Sequence, residues 1–163
     1  HQMDVPFIME MGREIAARFR GEEIDKILTV EASGIALAFA AAYQMGVPLV
    51  FAKKNKTSNV STGVYTTAVH SYTHGVDYDV VVARDYLSSA DRVLIVDDFL
   101  ANGKALEGLL DIISQAGAEA VGAAIAIEKG FQHGGDKLRA SGLRVESLAI
   151  VETMENGQIH FRN

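Results

Sequence analysis

A chain of 163 residues, 48% hydrophobic and 22% charged, has the balance of one globular domain able to bury a core; two prolines and no low-complexity run leave no linker for a second. The formal net charge of −6 opposes a broad nucleic-acid surface, which needs a basic face to neutralise phosphates, but leaves room for a local anion pocket. The lack of cysteine removes disulfides, thiolate catalysis and zinc–thiolate sites, and no apolar run nears the roughly 20 residues of a membrane span, so a cytoplasmic protein is expected.

Asp4, Pro6 in the first turn, and Phe7, Ile8, Met11, Ile15, Ala16 and Phe19 at helical spacing predict an amphipathic helix ending near Gly21. The chain opens on His1 and enters this helix almost at once, so an upstream segment is expected to be missing. Residues 24–30 predict a short apolar strand, 31–34 a turn, and 35–45 an Ala-rich helix closed by Gly46. A strand at 47–52 leads into 53–63, a polar stretch that reads as a loop. Residues 64–73 and 78–83 are rich in β-branched and aromatic residues, with His74, Gly75 and Asp77 between them, and predict a hairpin flap. The remainder predicts a buried strand at 92–97, a helix from about 104 to 115, a strand at 120–128 and a loop at 130–135. A short helix at 136–141, a strand at 145–151 and an edge strand at 157–161 complete it. Alternating strands and helices imply an α/β fold with a mostly parallel sheet covered on both faces. Its sites lie at the carboxyl ends of strands, here the turns after Val30, Ala52, Val96 and Ile127.

The strongest signal is VLIVDDFLANGKA, residues 93–105. A buried strand is expected to end in two carboxylates, which are costly there unless they bind hydroxyls or a metal. Ala101, Asn102 and Gly103 then form a turn whose backbone N–H groups, with the following helix N-terminus, can converge on one anion. The pair suits a sugar and the turn a phosphate; the plainer reading is two aspartates capping a turn.

This segment resembles the signature of the type I phosphoribosyltransferases, and in the form DDFLANG it is similar to the xanthine phosphoribosyltransferases; the resemblance runs along nearly all 163 residues. It implies a type I phosphoribosyltransferase fold with a hood segment upstream of the first helix. Asp97 and Asp98 would take the ribose hydroxyls, and Ala101, Asn102, Gly103, Lys104 and Ala105 the 5′-phosphate. The signature usually has Thr in its loop where this chain has Asn102 and Ala105, which leaves fewer hydroxyl donors. In hypoxanthine-guanine enzymes an aspartate matches Ala101, so proton handling at the base falls to another group or to water.

The same resemblance gives pyrophosphate to the turn of Glu31, Ala32, Ser33 and Gly34, whereas Ser33 alone reads as an N-cap. It gives charge to Lys53, although loop lysines such as Lys53, Lys54 and Lys56 are usually just solvated. Ser71, Tyr72 and Thr73 match the family's mobile lid and are otherwise ordinary strand residues. Lys129, in IEKGF, would face a purine oxygen, or else pair with Glu128; Phe131 would stack on the base, or else join the core. His70, His74 and His133 read as surface residues. Mg²⁺ carried on the substrate, with Asp97 and Asp98 as candidate ligands, phosphoribosyl pyrophosphate and a purine as substrates, and a homodimer are implied. The implied activity is purine salvage on xanthine. Alternatives are another purine (hypoxanthine, guanine or adenine) or a phosphoribosyl pyrophosphate sensor without catalysis. A signalling receiver domain, which VLIVDD also resembles, would place its acidic pair near the start of the chain.

Overall fold

A computed structural model of the chain describes residues 2–55, 63–71 and 76–162. Helix α1 (Val5–Arg18) starts where expected, with the Asp4 carboxylate accepting the Phe7 N–H at 3.1 Å and Pro6 in the first turn. Strand β1 (Lys26–Val30) leads to α2 (Gly34–Met45), which Gly46 closes with φ of 70°. Then come β2 (Leu49–Asn55), the hairpin of β3 (Val64–Ser71) and β4 (Val76–Ala83), and β5 (Arg92–Leu100). Helix α3 (Lys104–Ala116), β6 (Glu119–Lys129), α4 (Gly134–Ala140), β7 (Val145–Glu155) and β8 (Gln158–Phe161) follow.

The strands form one eight-stranded sheet in the order β3-β4-β2-β1-β5-β6-β7-β8. Its centre, β2-β1-β5-β6-β7, is parallel, while the hairpin and β8 add antiparallel edges. Alternation along β5 divides the core. Val93 and Ile95 pack with Leu106, Leu109, Ile112 and Ile113 of α3. Leu94 and Val96 pack with Ile15 of α1 and Leu37, Ala38 and Ala41 of α2. Each such Leu or Ile contributes about 1.5–3 kcal/mol on burial. Close crossing of α1 and α2 depends on Gly12, where a Cβ would lie 2.6 Å from the Ala40 carbonyl carbon.

The expected order of elements is the observed one, and the differences lie at their ends. Lys53–Asn55, expected in a loop, extend β2 because β4 pairs with them, Lys53 opposite Val81 and Asn55 opposite Asp79. Strand β5 does not stop at Asp97: β6 carries it on, pairing Phe99 with Ile127 and Leu100 with Glu128. Helix α4 starts at Gly134, two residues before the expected start.

Candidate active site

Asp97 and Asp98 lie in β5 just past its last pair with β1, Leu28 opposite Ile95, in the middle of the sheet. Asp97 is 5% exposed, and its Oδ1 accepts the Asp98 N–H at 3.0 Å. Burial first, and then the charge of Asp98 beside it, push the Asp97 carboxyl up to about 8. A residue with a Cβ at position 34 would place that carbon 2.5 Å from both Asp97 Oδ1 and Thr29 Oγ1, so α2 can begin there only with glycine. The Thr29 hydroxyl, fully buried, has no hydrogen-bond partner among the described residues.

Beyond Leu100 the chain turns through Ala101, Asn102 and Gly103 into α3. Gly103 has φ of 89°, a conformation that favours glycine, and Asn102 Oδ1 accepts the Lys104 N–H at 3.1 Å. Lys104 Nζ reaches Glu107 at 2.6 Å, and Ala105 continues the first turn. The loop is backed by the start of α4: a Cβ on Gly134 would sit 2.3 Å from the Ala101 carbonyl oxygen. A cavity of about 410 Å³ opens alongside, lined by Asn102, Lys104, Glu107, Gln132 and Lys137.

On the other side of β5, the turn after β1 holds Glu31, Ala32, Ser33 and Gly34, with a cis peptide between Glu31 and Ala32. Glu31 ties this turn to β2: its N–H donates to the Ala52 carbonyl at 3.0 Å, and its Oε1 accepts the Lys54 N–H at 2.7 Å. Ser33 stands at the N-cap of α2 but makes no side-chain cap bond, so its exposed hydroxyl is not committed to the helix. Lys53 is exposed, while Lys54 Nζ lies 5.3 Å from the Tyr78 ring centroid. Ser71 ends β3 opposite Val76; Tyr72, Thr73 and His74 lie outside the described residues.

The third turn follows β6. Lys129 Nζ stands 5.4 Å from the ring centroid of Phe99, an interaction of cation and aromatic face. An ion pair between Lys129 and Glu128 does not form, because neighbours on a strand point to opposite faces; Glu128 instead pairs with Arg139. Phe131 is 41% exposed in a short 3-10 turn, so it is not a core residue. Phe99, 48% exposed beside Lys129, escaped the sequence reading because β5 was expected to have ended before it. Exposed His133 lies 3.6 Å from Asp136.

Glu31–Gly34, Lys53, the Asp97–Ala105 segment and Lys129 thus stand at the carboxyl ends of four adjacent parallel strands, β2, β1, β5 and β6. Among the described residues no three His, Asp or Glu side chains gather as a metal cage. Two neighbouring carboxylates, one forced toward its neutral form, do suit a cation that keeps most of its ligands as water and substrate oxygens, as Mg²⁺ does.

Residues 6–151 match the phosphoribosyl transferase domain. The chain belongs to the phosphoribosyltransferase family. It is 51% identical over 163 residues to the xanthine phosphoribosyltransferase of Alkaliphilus metalliredigens, covering 100% of this chain and 81% of that one. With the xanthine phosphoribosyltransferase of Bifidobacterium longum it shares 54% over 166 residues, 100% of this chain and 86% of the other. The sheet superposes on adenine phosphoribosyltransferases from Giardia lamblia, with a TM-score of 0.79, 22% identity and 91% and 81% of the two chains covered. For that of Thermoanaerobacter pseudethanolicus the values are 0.77, 24%, 90% and 81%. At those identities the likeness establishes the type I phosphoribosyltransferase fold and says nothing about the base.

Proposed function

We propose that this phosphoribosyltransferase acts in purine salvage, converting xanthine and phosphoribosyl pyrophosphate to xanthosine 5′-monophosphate and pyrophosphate. One observation carries the reading. The DDFLANG segment is folded as a carboxylate pair running into a glycine-hinged loop at the head of α3, in a chain 51–54% identical to proteins named xanthine phosphoribosyltransferase.

In this reading Asp97 and Asp98 hold the ribose hydroxyls, which relieves the crowding of their charges. The N–H groups of residues 101–105 hold the 5′-phosphate at the positive end of α3. The turn of Glu31, Ala32, Ser33 and Gly34 takes the pyrophosphate, with the uncommitted Ser33 hydroxyl and the Lys53 charge as donors. Lys129 meets a carbonyl oxygen of the base, and Phe131 offers a face for stacking. Mg²⁺, held by Asp97 and Asp98 together with substrate oxygens, would neutralise the departing pyrophosphate. The bond from C1 of the ribose to the pyrophosphate oxygen breaks and a bond from C1 to the base nitrogen forms, while the proton of that nitrogen passes to water. The protein's share is to orient the two substrates and to present fixed donors to the charge that develops. Closure of the lid formed by Ser71, Tyr72 and Thr73 would exclude water from the ribosyl centre. The chain works as a single domain, as a homodimer in the cytoplasm. No helix among the described residues is long and apolar enough to cross a membrane.

The test is pyrophosphate release by the full-length enzyme with xanthine, hypoxanthine, guanine and adenine. The expected order of efficiency is xanthine, then hypoxanthine or guanine, then adenine nearly inert. Adenine preferred to xanthine would overturn the base assignment, and no release with any purine, despite binding of phosphoribosyl pyrophosphate, would favour a sensor.

A further inference from the structure

The turn that carries Lys129 and Phe131 is closed by an ion pair between buried Glu128 and half-buried Arg139, to which the proposed reaction assigns no role. Glu128 is 1% exposed. Its carboxylate accepts Arg139 Nη1 at 2.9 Å, Arg139 Nη2 at 2.6 Å and the Ser147 hydroxyl at 2.5 Å. Arg139 Nε donates to the Val145 carbonyl at 3.2 Å, so the cluster ties β6, α4 and β7 together. Burial by itself would raise the Glu128 carboxyl, but Arg139 and then Ser147 more than offset it and leave it below the ordinary range. Such a fork of paired bonds fixes orientation as well as charge.

Everything between the two partners is packed without slack. A Cβ on Gly135 would lie 2.0 Å from Glu128 Oε1 and 2.9 Å from Arg139 Nη1. One on Gly134 would lie 2.3 Å from the Ala101 oxygen, 2.6 Å from the Asn102 carbonyl carbon and 2.7 Å from the Gly103 nitrogen. The start of α4 is therefore a spacer with the ion pair on one side and the phosphate loop on the other. Burying the Glu128 charge costs free energy that the attraction of Arg139, itself 31% exposed, has first to offset, so the pair is a weak source of net stability and a better one of fixed orientation.

We infer that Glu128, Arg139 and Ser147 are positioning residues that set the distance between the base-side turn, residues 129–133, and the phosphate loop, residues 101–103. The inference rests on the proposed placing of the base at Lys129 and Phe131. Transfer requires the base nitrogen and C1 of the ribose in near-attack geometry, and a misplacement of about 1 Å costs on the order of 100-fold. Glu128 is closed off from the surface and none of the three is among the residues proposed to hold substrate, so their effect passes through the turn and the loop they hold.

The experiment compares the full-length wild type with E128Q, R139K, S147A and K129A. It measures kcat, KM for xanthine, Kd for phosphoribosyl pyrophosphate by calorimetry, and Tm. For E128Q kcat should fall about 10- to 100-fold and KM for xanthine should rise, with Kd for phosphoribosyl pyrophosphate within about threefold of wild type. R139K, which keeps the charge and loses the fork, should fall between E128Q and wild type. A folded E128Q with wild-type kcat and KM would overturn the inference, as would a loss confined to phosphoribosyl pyrophosphate affinity or one explained wholly by the unfolded fraction. If E128Q does not fold, R139K and S147A decide by the same split. K129A separates the two readings: unchanged KM for xanthine in K129A removes the base from Lys129, whereas raised KM there with silent E128Q and R139K removes only the positioning role.

Discussion

On the proposed phosphoribosyl side of the site, the groups offered to the ligand are two carboxyl groups and a set of backbone amides fixed by one continuous stretch, residues 97–105. On the proposed base side they are side chains, Lys129 and Phe131, next to Glu128, which Arg139 and Ser147 bind from two later elements. The first side is made mostly of main chain and can change little without losing its ligand. The second depends on a few side chains, so base preference can be altered while the sugar-phosphate site stays as it is.

The largest expected effect is on the phosphoribosyl side. Changing Asp97 and Asp98 together to Asn should lower kcat by at least on the order of 1000-fold for every base, with Tm equal or higher because the cost of burying the Asp97 carboxyl beside Asp98 has gone. Pyrophosphate release and calorimetry read the two quantities, and a fast double variant would break the comparison at its root. Lys129→Met should act on the oxopurines and not on adenine. Efficiency with xanthine should fall about 100-fold while that with adenine stays level, measured as the ratio of kcat/KM for the two. Gly134→Ala should show that the two sides touch: the added methyl pushes on residues 101–103, weakening phosphoribosyl pyrophosphate about tenfold and costing about 1–3 kcal/mol of stability by overpacking. Titration calorimetry and chemical denaturation would measure both.

The last effect is on stability alone, through its dependence on pH. Burial and the charge of Asp98 push the Asp97 carboxyl up to about 8 in the fold from an ordinary 3.8 in the unfolded chain, so between those limits the folded chain binds more protons. Stability without ligand should therefore fall as pH rises from about 4 to about 8. Asp97→Asn should flatten that part of the Tm profile, and identical profiles for the two proteins would mean that the carboxyl is not held neutral.

Much of this was legible in the sequence, and the parts that were not share a cause. Helices and strands were readable because periodicity and caps such as Asp4 and Gly46 are local. The DDFLANG stretch was readable because its geometry lies within itself. What failed depended on a distant partner: Lys53–Asn55 became strand only because β4 lies beside them, and Phe99 stayed in strand because β6 runs past it. In the same way Glu128 was weighed against its neighbour Lys129, when its partner is Arg139 on the next helix. The glycines at 134 and 135 read as loop, yet they begin a helix that no other residue would let approach.

The central pairing has a consequence for assembly of the chain. Strand β1 meets β5 in parallel, Lys26 beside Val93, and the whole hairpin lies between them in sequence. Such a non-local pairing forms only after a long loop has closed, which slows folding relative to local contacts. Because the turn proposed for pyrophosphate follows β1 and the carboxylate pair lies in β5, no part of the chain ending before residue 92 contains both. On the proposed reading, a nascent chain emerging from the ribosome has no place for the sugar phosphate until its central strand is complete, and ligand can stabilise the fold only after that point.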